Sequence, residues 1–471
     1  MLKKYTIIVF ILFNLICIKI YALNDTLKVE STKIKLIEKF TVGRILLIGN
    51  DVTNDDVILR EIKTKEGGKF KLEILENDVK RLYNLGLFNR IDVIPAPISD
   101  TTLNLVFEFE ELFYFLPVPQ GGIKEGSFKK IWGGLNFLWK NFRGMNETLN
   151  LSFGVGYEPF IYAGFKNPWI FGDSHLFYQF GVKYSRSYPR STGISTDTTV
   201  RIFNKDDVPT YTLDNFQSDL RIGKYFGEYL SLSGILMYNS LSTSDYEPGK
   251  TLNENGKDRF PTISADLTYD SRDYMKFATF GSYYNVNFSR IGLFSSVFDL
   301  NKFRVDLRKY VPIRISNDYS VTLSARFNTV LSFGGGEFPV YLRESIGYMD
   351  MIRGWDNYVL EGEDKLIGSL ELRIPVVKPF YVKGKDHFIV KKMPVFKYLS
   401  YRYGLYATMF FDVGGVWAMK EQPVNTRFRN GFGAGLNFLL PLDFVFRTDL
   451  AFRKVRDIYK GQIIFSLDSS F

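Results

Sequence analysis

The stretch "VTLSARFNTVLSF", Val321 to Phe333, constrains the fold more than any other feature of the chain. Val321, Leu323, Ala325, Phe327, Leu331 and Phe333 fall on one face of an extended segment, and Thr322, Ser324, Arg326, Asn328 and Ser332 on the other. Successive strand side chains point to opposite faces, so this period builds a sheet with one apolar and one polar side. "FVFRTDLAF", Phe444 to Phe452, repeats it, with Arg447 and Asp449 opposite Phe444, Phe446, Leu450 and Phe452. Such runs recur at roughly 9 to 13 residues, the length a tilted strand needs to cross a bilayer. The polar set then faces a wet lumen and the apolar set faces lipid.

Composition separates this reading from that of a helical membrane protein. Aromatic residues make up 17% of the chain, with 44 Phe and 29 Tyr. After residue 25 nothing approaches the ~18 to 20 consecutive apolar residues of a spanning helix. Strands are expected near 115–122, 131–139, 146–156, 159–167, 174–187, 213–222, 229–241 and 260–270. Eight more are expected near 280–291, 297–310, 318–333, 364–376, 403–417, 429–440, 444–454 and 460–471. The fold class is therefore mainly β: a 16-stranded transmembrane antiparallel barrel over 115–471. An even number returns both ends of the barrel to one side, and unpaired backbone at membrane depth requires the sheet to close.

Connections 188–212, 242–259 and 334–363 are long and belong at one end, with tight turns such as "NFRG" and "LPLD" at the other. Val377–Arg402 breaks that alternation, being long on the short-turn side, and its "FIVKKMPVFKYL" reads as a small helix or plug. The chain starts with Lys3 and Lys4, an apolar run from Tyr5 to Ile18 and Ala22, the pattern of a secretory signal peptide over 1–22.

Residues 38–112 follow a different rule. "TVGRILLIGN" is a strand, Thr53 or Asn54 an N-cap, and "KLEILENDVKRLYNLGLF" a helix with Leu72, Leu75, Val79, Leu82 and Leu85 on one face. Gly86 ends it, and "NRIDVIPA" and "TLNLVFEFE" are strands. The order strand, helix, helix, strand, strand resembles a POTRA domain, whose exposed sheet edge can take up a partner strand. An unrelated small α+β domain is the alternative.

Several function classes drop out. Cys17 is the only cysteine and His175 and His387 the only histidines, without metal-ligand spacing. The net charge of +9 is scattered, so no nucleic-acid footprint forms. No phosphate-binding glycine loop or zinc-protease motif is present, so no enzymatic activity and no cofactor are expected.

"IRGW", Ile352 to Trp355, resembles the (V/I)RG(F/Y/W) motif of the BamA/TamA superfamily, and it has company. "KNFRGMNETLNLSFGVGY", "LTYDSRD", "GSLELRIPV", "FFDVGGVW" and "RNGFGAGLNFLLP" match the family's turns and strands in order. With the POTRA-like segment, the resemblance runs from about residue 40 to 471. The last strand, ending "GQIIFSLDSSF", resembles the recognition signal of outer-membrane barrels.

Strand parity puts Glu371 and Arg373 on one face of "SLELRIP", and Asp412 opposite Phe411 and Val413. A long loop folding back into the lumen would bring Arg353 between Glu371 and Asp412, where a guanidinium can hold both carboxylates. Gly354 would allow the close approach and Trp355 would pack on the wall. The resemblance implies that Ile352, Arg353, Gly354, Trp355, Glu371 and Asp412 form a lumenal loop lock. Ordinary mutual neutralisation in a wet lumen is the alternative.

The first strand, "FYFLPVPQGG", carries Pro117 and Pro119, which cannot donate to a ladder. It reads as one side of a weak lateral seam whose other side is the last strand with Phe465 and Phe471, unless the prolines belong to the linker.

The resemblance implies an assembly and insertion factor for outer-membrane proteins, resident in the bacterial outer membrane with its POTRA domain in the periplasm. Its partners would be unfolded outer-membrane or secreted clients and outer-membrane lipids, with periplasmic chaperones and accessory lipoproteins as further candidates. A dedicated secretion pore or a specialised paralogue is the alternative.

Overall fold

A computed structural model describes residues 40–123, 130–170, 174–189, 201–204, 211–246, 250–293, 299–317, 319–334, 338–347, 350–355, 358–383, 400–419, 421, 428–440, 444–455 and 457–466. The expected signal peptide, the "FIVKKMPVFKYL" segment and Phe471 lie outside them.

The N-terminal elements are β1 (Thr41–Ile48), α1 (Asp55–Leu59), α2 (Leu72–Asn84), β2 (Phe88–Ser99) and β3 (Thr102–Glu111). The three strands form one sheet in the order β1-β3-β2, with β1 parallel to β3. The strict alternation of Leu103, Leu105, Phe107 and Phe109 buries all four, and α2 buries Leu75 and Leu82. Asn54, one of the two candidate caps, accepts from the Asp56 backbone N–H, and α1 runs for five residues only. Gly86, at φ +65°, ends α2 as its position suggested.

The larger sheet begins with β4 (Phe115–Ile123), β5 (Ile131–Phe142), β6 (Glu147–Gly156), β7 (Phe160–Ile170) and β8 (Leu176–Ser187). A short outlying strand, β9 (Arg201–Asn204), precedes β10 (Leu213–Phe226), β11 (Leu230–Thr243), β12 (Lys257–Asp270) and β13 (Gly281–Ile291). Then come β14 (Leu300–Ser316), β15 (Tyr319–Gly334), the outlying β16 (Glu344–Ile346) and β17 (Tyr358–Gly362), and β18 (Asp364–Lys383). The chain finishes with β19 (Ser400–Trp417), β20 (Arg429–Leu440), β21 (Phe444–Val455) and β22 (Ile458–Ser466). Without the three outlying strands, sixteen form a single antiparallel sheet from β4 to β22, each beside its sequence neighbour. This is the expected strand count. β4 is the first strand, so Pro117 and Pro119 belong to the sheet and not to a linker.

Burial follows the period. On β18 and β19, Leu370, Met409 and Phe411 stand exposed on the outer, lipid-facing surface. Their alternates Glu371, Arg373, Thr408 and Asp412 are buried on the inner one. One expectation needs correction: Val377–Arg402 is not all connection. β18 continues to Lys383 and β19 starts at Ser400, because the ladder survives two irregularities after Pro375 and resumes with Phe380 opposite Tyr403. Proline cannot donate, and a bulge is the usual way for a strand to pass it.

A small second sheet was not expected from the sequence. β16 and β17, both within the long 335–363 connection, pair with each other, and β17 also pairs with β9 from the connection between β8 and β10.

Candidate functional site

β18 and β19 are paired so that Ser369 faces Asp412 and Glu371 faces Phe410. Asp412 and Glu371 therefore stand diagonally on one inner surface, with a gap between them. The connection after β15 fills that gap. Arg353 donates from Nη1 to Glu371 at 2.5 Å, from Nε and Nη2 to the two Asp412 oxygens at 2.7 and 2.8 Å, and from its backbone N to Asp412 at 3.1 Å. The fork geometry of guanidinium matches a carboxylate two bonds at a time, which a lysine could not do. The Phe410 ring lies 3.6 Å below the guanidinium carbon. Burial on its own would favour losing the proton, but Asp412 and Glu371 outweigh it and hold the arginine firmly charged.

Each expected neighbour of Arg353 has a position. Ile352 is buried with Ile346, Leu360, Ile367 and Val416. Gly354 adopts φ +94°, and a Cβ there would stand 3.1 Å from the Phe452 carbonyl oxygen. Trp355 packs in the same cluster, donates from Nε1 to the Asn430 carbonyl at 2.8 Å, and lies under the guanidinium groups of Arg429 and Arg453. Arg453 also donates to the Gly354 carbonyl at 2.9 Å. The site thus brings Ile352, Arg353, Gly354, Trp355, Glu371 and Asp412 together. Pro117, Pro119 and Phe465 lie elsewhere, on β4 and β22.

Sequence reasoning missed several participants. Gly431, directly across from Asp412 on β20, has no side chain where the Arg353 carbonyl passes, and a Cβ there would be 1.8 Å from that oxygen. Glu344 accepts from Lys302 at 2.6 Å and Arg304 at 2.7 Å. Asp350 accepts from Arg326 and Lys365, both at 2.8 Å. Burial would push both loop carboxylates up; Lys302, Arg304 and Lys365 around Glu344, and Arg326 and Lys365 around Asp350, bring each down to about 2. Arg373 shares Glu371, donating from Nε to its other oxygen at 2.8 Å. Parity gave the signal for Arg373, two residues beyond Glu371. Nothing local marked Glu344 or Asp350: Lys302 and Arg326 lie 42 and 24 residues upstream of them, and Lys365 lies 15 residues beyond Asp350.

At the seam, β4 pairs with β5 in unbroken register from Phe115 to Ile123. Prolines two apart present their nitrogens to the same edge, and the unbroken ladder places that edge on the side away from β5. Among the described residues no pairing joins that edge to β22. Phe465 stacks on Phe446 and stands exposed on the outer face of β22.

Sixteen strands, an apolar outside, a charged inside and a loop lodged against the inner wall define a transmembrane β-barrel with an occupied lumen. Residues 141–471 match the family model described as the Omp85 superfamily domain, and residues 40–112 match that of the POTRA surface antigen variable number repeat. The chain belongs to the Omp85 superfamily, with a single POTRA domain ahead of its barrel. It is 23% identical over 339 residues to the outer membrane protein assembly factor BamA of Nitratidesulfovibrio vulgaris, covering 70% of this chain and 40% of that protein. It is 28% identical over 128 residues to the chloroplastic outer envelope protein 80 of Oryza sativa subsp. japonica, covering 26% of this chain and 19% of that one. The chain thus spans less than half the length of these relatives. In solved structures the same fold occurs in BamA from Haemophilus ducreyi lacking POTRA domains 1–3 (TM-score 0.59, 17% identity, 91% of this chain and 84% of that one). It occurs also in CdiB from Escherichia coli (TM-score 0.58, 13% identity, 91% and 75%). Barrel fold and relatives together point to the bacterial outer membrane.

Proposed function

We propose that this protein inserts client proteins into the bacterial outer membrane, with its POTRA domain in the periplasm receiving unfolded chains and its seam templating their strands. The observation that carries this reading is the edge of β4. Two of its residues cannot donate, and no ladder joins it to β22 among the described residues, so a client strand meets little competition for the other edge of the seam. The lumenal lock holds the long loop while the seam opens. Accessory lipoproteins and chaperones would deliver clients to the POTRA edge.

Export of one dedicated partner through the lumen is the second reading. It draws on the charged inner wall and on a loop whose removal would clear a path along it. Quantitative outer-membrane proteomics after depletion separates the two. Loss of many unrelated barrels supports insertion; loss of a single surface or secreted protein with the other barrels intact supports dedicated export and overturns the insertion reading.

A further inference from the structure

The connection between β12 and β13 runs from Ser271 to Phe280, at the end of the barrel opposite the loop that carries Arg353. Adjacent antiparallel strands need only a tight turn, and this connection is longer than that. Its middle leaves its own strands. Phe277 is 1% exposed and packs with Tyr406, Leu439 and Val445, on β19, β20 and β21. Those strands stand several places further along the sheet, so a turn that touches them crosses the lumen. Other contacts seat it. Ala278 packs on Tyr310 of β14, Thr322 of β15 donates to the Thr279 carbonyl at 3.2 Å, and the Arg402 guanidinium lies 3.6 Å over the Tyr274 ring. Asp273 closes the turn on itself, accepting from the Thr279 and Phe280 backbone N–H groups at 2.9 and 3.2 Å. Phe277 has φ +52°, a conformation that a side-chain-bearing residue keeps only where its surroundings impose it.

Arg373 joins this turn to the lumenal site. It is fully buried, donates from Nη1 to the Ala278 carbonyl at 2.5 Å, and lies 4.3 Å over the Phe277 ring. Its Nε holds one oxygen of Glu371 while Arg353 holds the other. Arg353, Arg373, Glu371 and Asp412 make a neutral quartet, two charges of each sign, spanning from the loop at one end to the turn at the other.

We propose that Ser271–Phe280 is an inner plug seated by Arg373, and that Glu371 couples its seat to the outer loop. Arg373 is a positioning residue in this arrangement. When Arg353 withdraws, Glu371 has Arg373 as its only cation in the quartet and draws it from the Ala278 carbonyl, so releasing the outer loop loosens the inner plug. Its use in client handling rests on the function proposed above; the plug and its coupling are testable without any client.

The test uses the full chain carrying Cys17→Ser and Ala278→Cys, reconstituted in liposomes. The readout is the rate at which a water-soluble maleimide labels the thiol introduced at position 278. Phe277→Ala is expected to raise that rate about tenfold or more by unseating the plug. Arg353→Ala is expected to raise it to a similar degree from the far end, and Arg353→Lys, which keeps the charge but loses the fork, by less. Heat-modifiable migration on gels establishes that each variant has a folded barrel, and Arg353→Lys carries the test if Arg353→Ala does not fold. An unchanged rate with Phe277→Ala overturns the plug. An increase with Phe277→Ala and none with either Arg353 variant overturns the coupling. Since no client is present, neither result depends on whether depletion favours insertion or export.

Discussion

Arg353 and β4 face the same lumen-enclosing sheet with opposite endowments. Arg353 makes four hydrogen bonds to carboxylates on two strands, and the residues around it reach β20 and β21 as well. β4 has two prolines and an edge that pairs with no other strand among the described residues. The strongly held region ends one strand short of the weakly held one, since β22 is the neighbour of β21. In the proposed function, the brace across β18 to β21 lets the seam between β22 and β4 open without the wall behind it distorting. A uniformly stable barrel would not localise the opening in this way.

The largest expected effect comes from removing the brace. Arg353→Ala leaves Asp412 buried without its cation, and breaking such a pair costs about 3–5 kcal/mol. Limited proteolysis of the 335–363 loop should then proceed at concentrations of protease that leave the parent protein intact; equal protection would dissolve the contrast between the two regions. Gly431→Ala tests the same brace through sterics. The added methyl group collides with the Arg353 carbonyl, and local displacement of about 1–3 kcal/mol is expected, read as a lower melting temperature and a faster loop cleavage.

The seam can be strengthened instead. Pro117→Thr with Pro119→Thr restores two donors, each worth roughly 0.5–1.5 kcal/mol if β22 takes them up. The double variant should melt higher and insert clients more slowly. A higher melting temperature with unaltered insertion would separate the seam from function. The smallest effect at neutral pH is electrostatic. Glu344 and Asp350 have lowered folded-state pKa values, so their contribution to loop attachment is fully present above the ordinary carboxylate range and fades as pH falls toward about 2. Loop attachment, read as the intrinsic fluorescence of Trp355, should therefore hold at pH 5 and weaken only below roughly pH 4. Weakening already at pH 6 would mean that other groups govern the loop.

Most of this barrel was legible because its strands obey a two-residue period that survives in any environment with a wet side and an apolar one. All sixteen strands overlap the segments where alternation placed them, with β14 and β18 running further than expected, and parity put Glu371 and Asp412 on the inner face. The meeting of Arg353 with both was legible only with the family's motif beside it, since no local pattern says where a loop of this length folds. The Ser271–Phe280 turn shows the limit more clearly. Phe277 finds its apolar neighbours more than 120 residues away, and nothing in the turn distinguishes it from Tyr274 or Phe280 as the residue that crosses the lumen. β9 and β17 were missed for a related reason: neither alternates, and each becomes a strand only through partners outside its own segment, β9 beside β17 and β17 between β9 and β16.

That pairing of β9 with β17 has a consequence for how the two long connections are joined. The bonds that join Arg201–Asn204 to Tyr358–Glu361 are main-chain bonds, available to almost any residue except proline. The tether therefore asks no particular side chain for its bonds, while Val359, Leu360 and Glu361 of β17 are buried and Leu360 packs in the cluster around Ile352 and Trp355, so the partner strand's own side chains anchor it to the lumenal site.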